Sequence, residues 1–172
     1  GKARADLLEM CYVLGSQMVV LAKKAPDLDQ ARKLLEEALE SGKALAKFRE
    51  MIRNQGGDDT VVDHPQSLLT AKYEQPFLAK KSGYVTKLVA NELGIAAMLL
   101  GAGRRTKEEE IDYAVGLKLH KKVGDKVTEG EPLLTIYSND LELSEVEHIL
   151  EKNIEIGEVA VELPLIHEII TE

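Results

Sequence analysis

Apolar residues recur at helical spacing through the first third of the chain. The first run alternates steps of four and three residues, which keeps its side chains on one helix face: Leu7, Cys11, Leu14, Met18 and Leu21. Apolar neighbours on both sides widen this stripe, so we expect the helix to be buried on more than one side. Two further helices are predicted over residues 28–39 and 45–52, with Ser41-Gly42 as the interruption between them.

Two polar signals mark the boundaries of these helices. Asp27 precedes an apolar run and Gln30 follows three residues later, the spacing of a capping box at a helix start. Gln55-Gly56-Gly57-Asp58 has two interpretations, a phosphate-binding loop or a helix end. A phosphate loop places its glycines before a helix, whereas these glycines follow one, so the order favours a helix end.

From His64 onward the pattern changes to short alternating runs that are typical of strands. Residues 73–79 and 84–89 are predicted to be two strands of a hairpin, joined through Lys80-Lys81-Ser82-Gly83. Pro76 has no N–H to give to a neighbouring strand, so the first strand is expected at a sheet edge or a bulge. The remaining elements are predicted as a helix at 95–100, strands at 114–120 and 133–137, a helix at 141–154, and closing strands or extended segments at 155–161 and 165–170.

These patterns predict an α/β (α+β) fold. A helical segment is followed by a mixed-sheet module with hammerhead-like, barrel-sandwich-like hairpins. Gly124 and Gly130 frame the turns of that module and are expected at positions that require positive φ. Asp125 is expected to bond the amides of its own turn, and Val127 and Leu133 are expected to face inward on adjoining strands.

Composition and charge narrow the classes of function. The formal net charge is −8, and the Lys and Arg residues are interleaved with Glu and Asp, which excludes a basic nucleic-acid interface. No apolar stretch is long enough to span a bilayer, so no membrane partner is expected. Cys11 is the single cysteine, which predicts a reducing, cytoplasmic setting and a buried, inert thiol. The chain begins Gly1-Lys2-Ala3 and is helical almost at once, which favours a fragment of a longer protein.

Few residues of the chain are candidates for chemistry. The four histidines (His64, His120, His148 and His167) are scattered without metal-ligand spacing, so neither a metal nor a cofactor is predicted. Asp112 is interpreted as the acidic half of a structural ion pair with Arg104 or Arg105, and Lys107-Glu108-Glu109-Glu110 as a solvated helix start. No catalytic residue is assigned.

One loop, Gly101-Ala102-Gly103-Arg104, has the means to bind an anion. Flexible N–H groups at Gly101 and Gly103 stand beside the guanidinium of Arg104. These three residues are therefore candidates for a phosphate-binding or closure loop. A loop that braces the fold is an equal alternative.

The glycine turns also resemble those of biotinyl and lipoyl carrier domains. The similar segments are Gly83-Tyr84-Val85, Gly124-Asp125-Lys126-Val127 and Gly130-Glu131-Pro132-Leu133. A carrier must display a lysine at the tip of a tight hairpin, and Lys87 lacks the flanking residues that such carriers show. A carrier remains an alternative, as does a non-catalytic interaction domain.

A fuller resemblance runs through the whole chain. Leu14-Gly15-Ser16, Gln55-Gly56-Gly57-Asp58, Gly83-Tyr84-Val85, Gly101-Ala102-Gly103-Arg104 and Ala114-Val115-Gly116 occur in an order similar to the carboxy-terminal portion of pyrimidine nucleoside phosphorylases, including thymidine phosphorylase. The resemblance implies that residues 1–65 belong to the larger α/β domain of a parent enzyme and that residues 66–172 form its carboxy-terminal α/β module.

The resemblance also implies an activity and partners. Family members transfer a pentosyl group from a pyrimidine nucleoside to inorganic phosphate, which gives free base and pentose 1-phosphate. In the family, a Lys/Ser/Thr-rich phosphate loop and a base-binding group lie upstream of the part that this chain resembles. We therefore expect the chain alone to be inactive. The full-length protein is expected to be a cytoplasmic homodimer that binds pyrimidine nucleoside and phosphate.

Overall fold

The computed structural model describes residues 3–104 and 106–170 of the 172-residue chain. It separates into two compact units. The helical unit comprises the chain up to Pro65 together with the residues from Pro164 onward, and the sheet unit is Gln66–Leu163. The predicted class and order, helices followed by a sheet module, are confirmed. The sequence prediction grouped the residues after Pro164 with the sheet module, whereas the structure groups them with the helices.

Three α-helices build the helical unit in the described part of the chain: α1 Ala5–Leu21, α2 Leu28–Glu40 and α3 Lys43–Asn54. Asp27 caps α2 as predicted, since its carboxylate accepts the Gln30 N–H at 2.8 Å. Between α2 and α3 the chain reverses at Gly42, whose φ of 76° lies in the left-handed region.

The glycine pair after α3 ends that helix. Gly56 has a φ of 78° and its N–H donates to Arg53 O at 3.0 Å, while the Gly57 N–H donates to Ile52 O at 2.9 Å. This pair of bonds is the Schellman pattern, which satisfies carbonyls that the helix leaves without partners. The helix-end interpretation is confirmed.

Helix α1 packs on α2 along one face only. A Cβ built on Gly15 would stand 2.8 Å from Leu35 Cδ1, so the two helices approach closely at this glycine. Ser16 is the residue of α1 that becomes buried. The predicted stripe is left largely uncovered: Leu7, Leu14, Met18 and Leu21 are exposed, Leu21 by 80%.

Two predictions about α1 are therefore wrong. The helix is not buried on more than one side, and Cys11, which lies within the stripe, is exposed rather than buried. The reason is geometrical: α2 covers one face of α1, and the apolar content of α1 exceeds what one neighbouring helix can bury.

The residues from Pro164 to position 170 form no strand. Ile169 lies beside Tyr12, Val13 and Leu28, in a recess between α1 and α2. This contact holds the tail on the helical unit.

Six strands of the sheet unit form two antiparallel sheets of three strands each. The strands are β1 Tyr73–Leu78, β2 Gly83–Leu88, β3 Gly116–Leu119, β4 Lys126–Val127, β5 Pro132–Ser138 and β6 Ile154–Gly157. Their orders are β1-β5-β3 and β4-β2-β6, so the structure has two antiparallel sheets in place of a single mixed one.

The predicted hairpin of the first two strands is wrong. Both strands exist close to their predicted positions, but β1 pairs with β5 and β2 pairs with β6 and β4. Val127 and Leu133 are both buried in one cluster, as expected, although β4 and β5 belong to different sheets. Pro76 does lie in an edge strand, which confirms that prediction.

Helices α4 Ala90–Ala97 and α5 Ser144–Asn153 cover the first sheet. Helix α5 begins three residues later than predicted, because two carboxylates accept backbone N–H groups in the segment that leads into it. Asp140 Oδ1 accepts the Glu142 N–H and Glu142 Oε1 accepts the Ser144 N–H, both at 3.1 Å. These local bonds satisfy amides that a longer helix would have left free. The segment after β6, predicted as strand to position 161, has no strand beyond Gly157.

Of the helices within the described residues, none combines the length and apolarity that crossing a bilayer requires.

Candidate functional site

The candidate loop follows α4 directly. After Ala97 the helix widens into a single π turn, Met98–Ala102, and Gly101 leaves it with a φ of 107°. Such a φ is strained for any residue with a Cβ, so Gly101 is the residue that allows the chain to turn here. We call residues 101–104 the glycine loop.

The two ends of the segment that contains the glycine loop are tied together. The Asp112 N–H donates to Gly101 O at 2.9 Å. The carboxylate of Asp112 accepts the Ala114 N–H at 2.9 Å and the side-chain amide of Asn139 at 2.7 Å. Asp112 therefore closes the base of the segment with its backbone and fixes the following turn with its side chain.

Asn139 extends this network to the first sheet. Its side-chain oxygen accepts the Lys72 N–H at 2.8 Å. Lys72 directly precedes β1 and Asn139 directly follows β5, at the end of the sheet where Tyr73 pairs with Ser138. The base of the glycine loop is thus attached to the paired ends of two strands, which are rigid elements of the fold.

Arg104 projects from the glycine loop into solvent. Its Nη1 donates a long hydrogen bond, of 3.5 Å, to Lys107 O. The predicted ion pair between Asp112 and Arg104 is not formed, because the Asp112 carboxylate is occupied by Asn139 and Ala114. Arg105 lies outside the described residues, so that half of the prediction is not addressed. Lys107 and Glu108 form a turn, so the predicted helix start is wrong.

The described loop residues carry one cationic side chain, Arg104, and no titratable acid or base. Arg104 offers a planar, permanently charged donor that holds no carboxylate among the described residues. Gly103 is extended, with a φ of −143°, and the place of its missing Cβ lies 3.2 Å from Met98 Cγ. The loop can approach a bound group closely, and it can present one cation to it.

The turns at Gly124 and Gly130 have a structural role in the sheet unit. Gly124 and Gly130 have φ values of 92° and 81°, as predicted, and Asp125 Oδ2 accepts the Lys122 N–H at 2.8 Å. Lys121 Nζ lies 2.6 Å from Glu131 Oε1, and this hydrogen bond lowers the pKa of Glu131 below its ordinary value. The turn is stabilised by its own charges.

Lys87 does not stand where a carrier lysine would. It lies within β2, paired with Glu155 of β6, and its Nζ donates to Glu155 Oε1 at 2.7 Å. A ligase requires a lysine at a hairpin tip, so this geometry contradicts the carrier alternative at its functional residue.

His120 shares a hydrogen bond of 2.8 Å with Thr135, a neighbour across the sheet. Within residues 3–104 and 106–170, no group of three or more His, Cys, Asp or Glu residues could hold a metal ion.

Comparison with known proteins agrees with the order of motifs. Residues 84–157, which include the glycine loop and its Asp112–Asn139 network, match the family described as "Pyrimidine nucleoside phosphorylase C-terminal domain". Proteins named pyrimidine-nucleoside phosphorylase from Staphylococcus aureus strains bovine RF122 / ET3-1 and USA300 are each 56% identical to the chain over 172 residues. Along its whole length, the chain is similar to the carboxy-terminal part of pyrimidine-nucleoside phosphorylases. It spans 40% of the length of these curated relatives, in their carboxy-terminal part.

The sequence indicated the glycine loop but not the hydrogen bonds that hold it in place. Nothing in the run Ser138-Asn139-Asp140 indicates that Asn139 reaches Asp112, because the two residues are 27 positions apart in the chain. The available signal was weak: a polar triplet directly after the best predicted strand, where a turn side chain commonly bonds a backbone amide.

Proposed function

We propose that this chain is the carboxy-terminal part of an enzyme that transfers a pentosyl group from a pyrimidine nucleoside to inorganic phosphate. The products are the free base and pentose 1-phosphate. The observation that carries the proposal is the 56% identity to pyrimidine-nucleoside phosphorylases over the whole chain. The glycine loop supports it, because its position and composition suit contact with an anionic or polar ligand.

The proposed role of the glycine loop is closure. Departure of a pyrimidine from C1′ builds positive charge on the sugar and negative charge on the base, so the site must position phosphate and exclude water. Gly101 and Gly103 give the backbone room to move, while the Asp112–Asn139 network holds the base of the segment. Arg104, at the far end of the loop, is the residue that we propose to reach the ligand.

The chain's own residues supply no general acid, general base or nucleophile to this proposal. We therefore propose that the phosphate-binding and base-binding groups belong to other parts of the complete enzyme, and that the isolated chain does not turn over. The finer parts of the proposal are a homodimeric full-length enzyme and a cytoplasmic location, for which the single cysteine is the sequence argument.

A segment exchange tests the proposal. The carboxy-terminal 40% of the Staphylococcus aureus USA300 relative is replaced by this chain, and phosphate-dependent release of uracil and thymine from their nucleosides is measured. We expect the chimera to release base, and both the isolated chain and the truncated relative to release none. A folded but inactive chimera, or turnover by the isolated chain, would refute the proposal.

A further inference from the structure

A cavity of about 380 Å³ opens between the two sheets of the sheet unit. It lies where β1 of the first sheet and β6 of the second present their free edges, since β1 pairs with β5 and β6 pairs with β2. No described strand bridges these two edges. The volume falls within the range of about 300–1,000 Å³ that small-molecule sites occupy. We call it the seam cavity.

The inner wall of the seam cavity is apolar. Phe77, Leu133, Ile154 and Ile156 line it, and Leu78, 44% exposed, stands at its mouth. Phe77 and Ile154 also pack against both hydrophobic clusters of the sheet unit, so their positions are fixed by the core. The cavity therefore offers a rigid apolar surface that is left partly open to water.

The rim of the seam cavity is charged. Lys80 Nζ lies 2.6 Å from Glu151 Oε1, and this hydrogen bond lowers the pKa of the Glu151 carboxyl below its ordinary value. Lys87 Nζ donates a hydrogen bond of 2.7 Å to Glu155 Oε1. Each rim carboxylate thus has its own lysine.

Lys81 is a cation at the rim that is not paired with either of these carboxylates. It lines the cavity, and its ammonium has no hydrogen bond or ion pair with any residue that the structure describes. Of the charged residues that line the cavity, Glu151 is neutralised by Lys80, and Glu155 is neutralised by Lys87, which lies outside the lining; Lys81 therefore leaves one positive charge at the opening.

We propose that the seam cavity binds a small amphipathic monoanion, an apolar body that carries a single carboxylate. The apolar body lies against Phe77, Leu78 and Ile156, where contact with it removes hydrocarbon surface from water. The carboxylate meets the ammonium of Lys81. A neutral ligand would leave the Lys81 ammonium without a counter-charge. A dianion would carry a second negative charge, which Glu151 and Glu155 would repel.

The test compares two probes that differ in charge alone. Indole-3-acetate and the neutral indole-3-acetamide are titrated into the 172-residue chain at pH 7, with backbone amide chemical shifts as the readout. We expect both to shift amides of residues 77–81 and 154–156, and the acetate to bind several-fold more tightly.

Matched variants assign the charge. Lys81→Gln is expected to lower the affinity for the acetate about threefold to fivefold, as for one solvent-facing ion pair, and to leave the acetamide unchanged. Lys118→Gln, an exposed lysine on β3, is the control and should change neither. Leu78→Ser should weaken both probes, because it removes apolar contact at the mouth.

Several results would overturn the proposal. Equal affinity of the two probes for the wild-type chain removes the charge argument, as does an unchanged acetate affinity in Lys81→Gln. Shifts centred on the exposed face of α1, or no saturable binding, would show that the seam cavity is not a ligand site.

Discussion

At the scale of single residues, two glycines with equally open surroundings show that backbone conformation decides what a side chain costs. A Cβ added at Gly94 or at Gly130 would meet no atom within 4 Å. Gly94 lies in the helix α4, whereas Gly130 has a φ of 81°. Space alone therefore predicts no difference between them, and the backbone predicts opposite effects.

The matched pair Gly94→Ala and Gly130→Ala measures this contrast. Gly94→Ala should stabilise the fold by up to about 1 kcal/mol, because alanine is the better helix former. Gly130→Ala should destabilise it by about 1 kcal/mol, because an L side chain is strained at positive φ. Chemical denaturation of both variants gives the two free energies of unfolding. If both substitutions changed the free energy of unfolding in the same direction, the backbone at Gly130 would have adjusted to accommodate the side chain.

The hydrogen bonds of Asp112 predict a rescue. Asp112→Asn turns an acceptor toward the Asn139 amide into a donor, and Asn139 cannot rotate to accept without abandoning the Lys72 N–H. The loss should be about 1 kcal/mol. Adding Asn139→Asp restores every bond of the network, with donor and acceptor exchanged only between residues 112 and 139. Melting of the single and double variants checks this, and a double variant no better than the single one would contradict it.

Arg104 is predicted to matter for turnover and not for stability. Its bond to Lys107 O is 3.5 Å long, and it has no carboxylate partner among the described residues. In the active chimera, Arg104→Ala should therefore lower kcat/KM about tenfold or more and leave Tm unchanged. Lys107→Ala, on the same exposed segment, is the control. A fall in Tm with unchanged kinetics would assign Arg104 a structural role.

At the scale of elements, a charged cluster joins α1 to α2. Arg32 donates to both oxygens of Glu9, at 2.9 and 2.7 Å, and to Glu36 at 3.0 Å, while its guanidinium lies 4.7 Å from the centre of the Tyr12 ring. The hydrogen bond from Arg32 lowers the pKa of Glu9 below its ordinary value of 4.5. The folded state therefore favours ionised Glu9.

Glu9 stabilises the fold at neutral pH more than at low pH. Because the pKa of Glu9 is lower in the folded than in the unfolded chain, its stabilisation is complete above about pH 4.5 and is lost as pH falls through the folded-state pKa. Glu9→Gln should lower Tm at pH 7 and lower it less at pH 2, since Glu9 becomes protonated as pH falls through its folded-state pKa. Glu50→Gln, which breaks a pair with Lys47 inside α3, is the control and should have a smaller effect at pH 7. An equal loss at both pH values would contradict the account.

The elements themselves were more predictable than their partners. The alternation around Leu133 and the caps at Asp27 and Gly56 are local, so the sequence indicates them directly. The pairing of β2 with β6 is not local. It depends on the absence of side chains at Gly83 and Gly157, where the backbones of residues 83 and 157 come into direct contact. A turn between β1 and β2 is present, but the chain uses it to pass from one sheet to the other.

Across the whole molecule, the features that the sequence did not predict also depend on contacts between residues distant in the chain. Periodicity found the stripe from Leu7 to Leu21 but could not show which face of α1 would be covered, because that depends on the neighbour. The glycine loop was visible as a motif. The Asp112–Asn139 bond that holds it was not, since it joins residues brought together only by the first sheet. The resemblance to the phosphorylase family could be identified only from the order of several such motifs along the chain.

Phosphorolysis is tested by the balance of products that the chimera carrying this chain forms. Uridine is supplied with and without inorganic phosphate, and uracil and ribose 1-phosphate are quantified together. We predict one ribose 1-phosphate for each uracil released, and no release without phosphate. Uracil release that continues without phosphate, or that yields free ribose, would contradict the account.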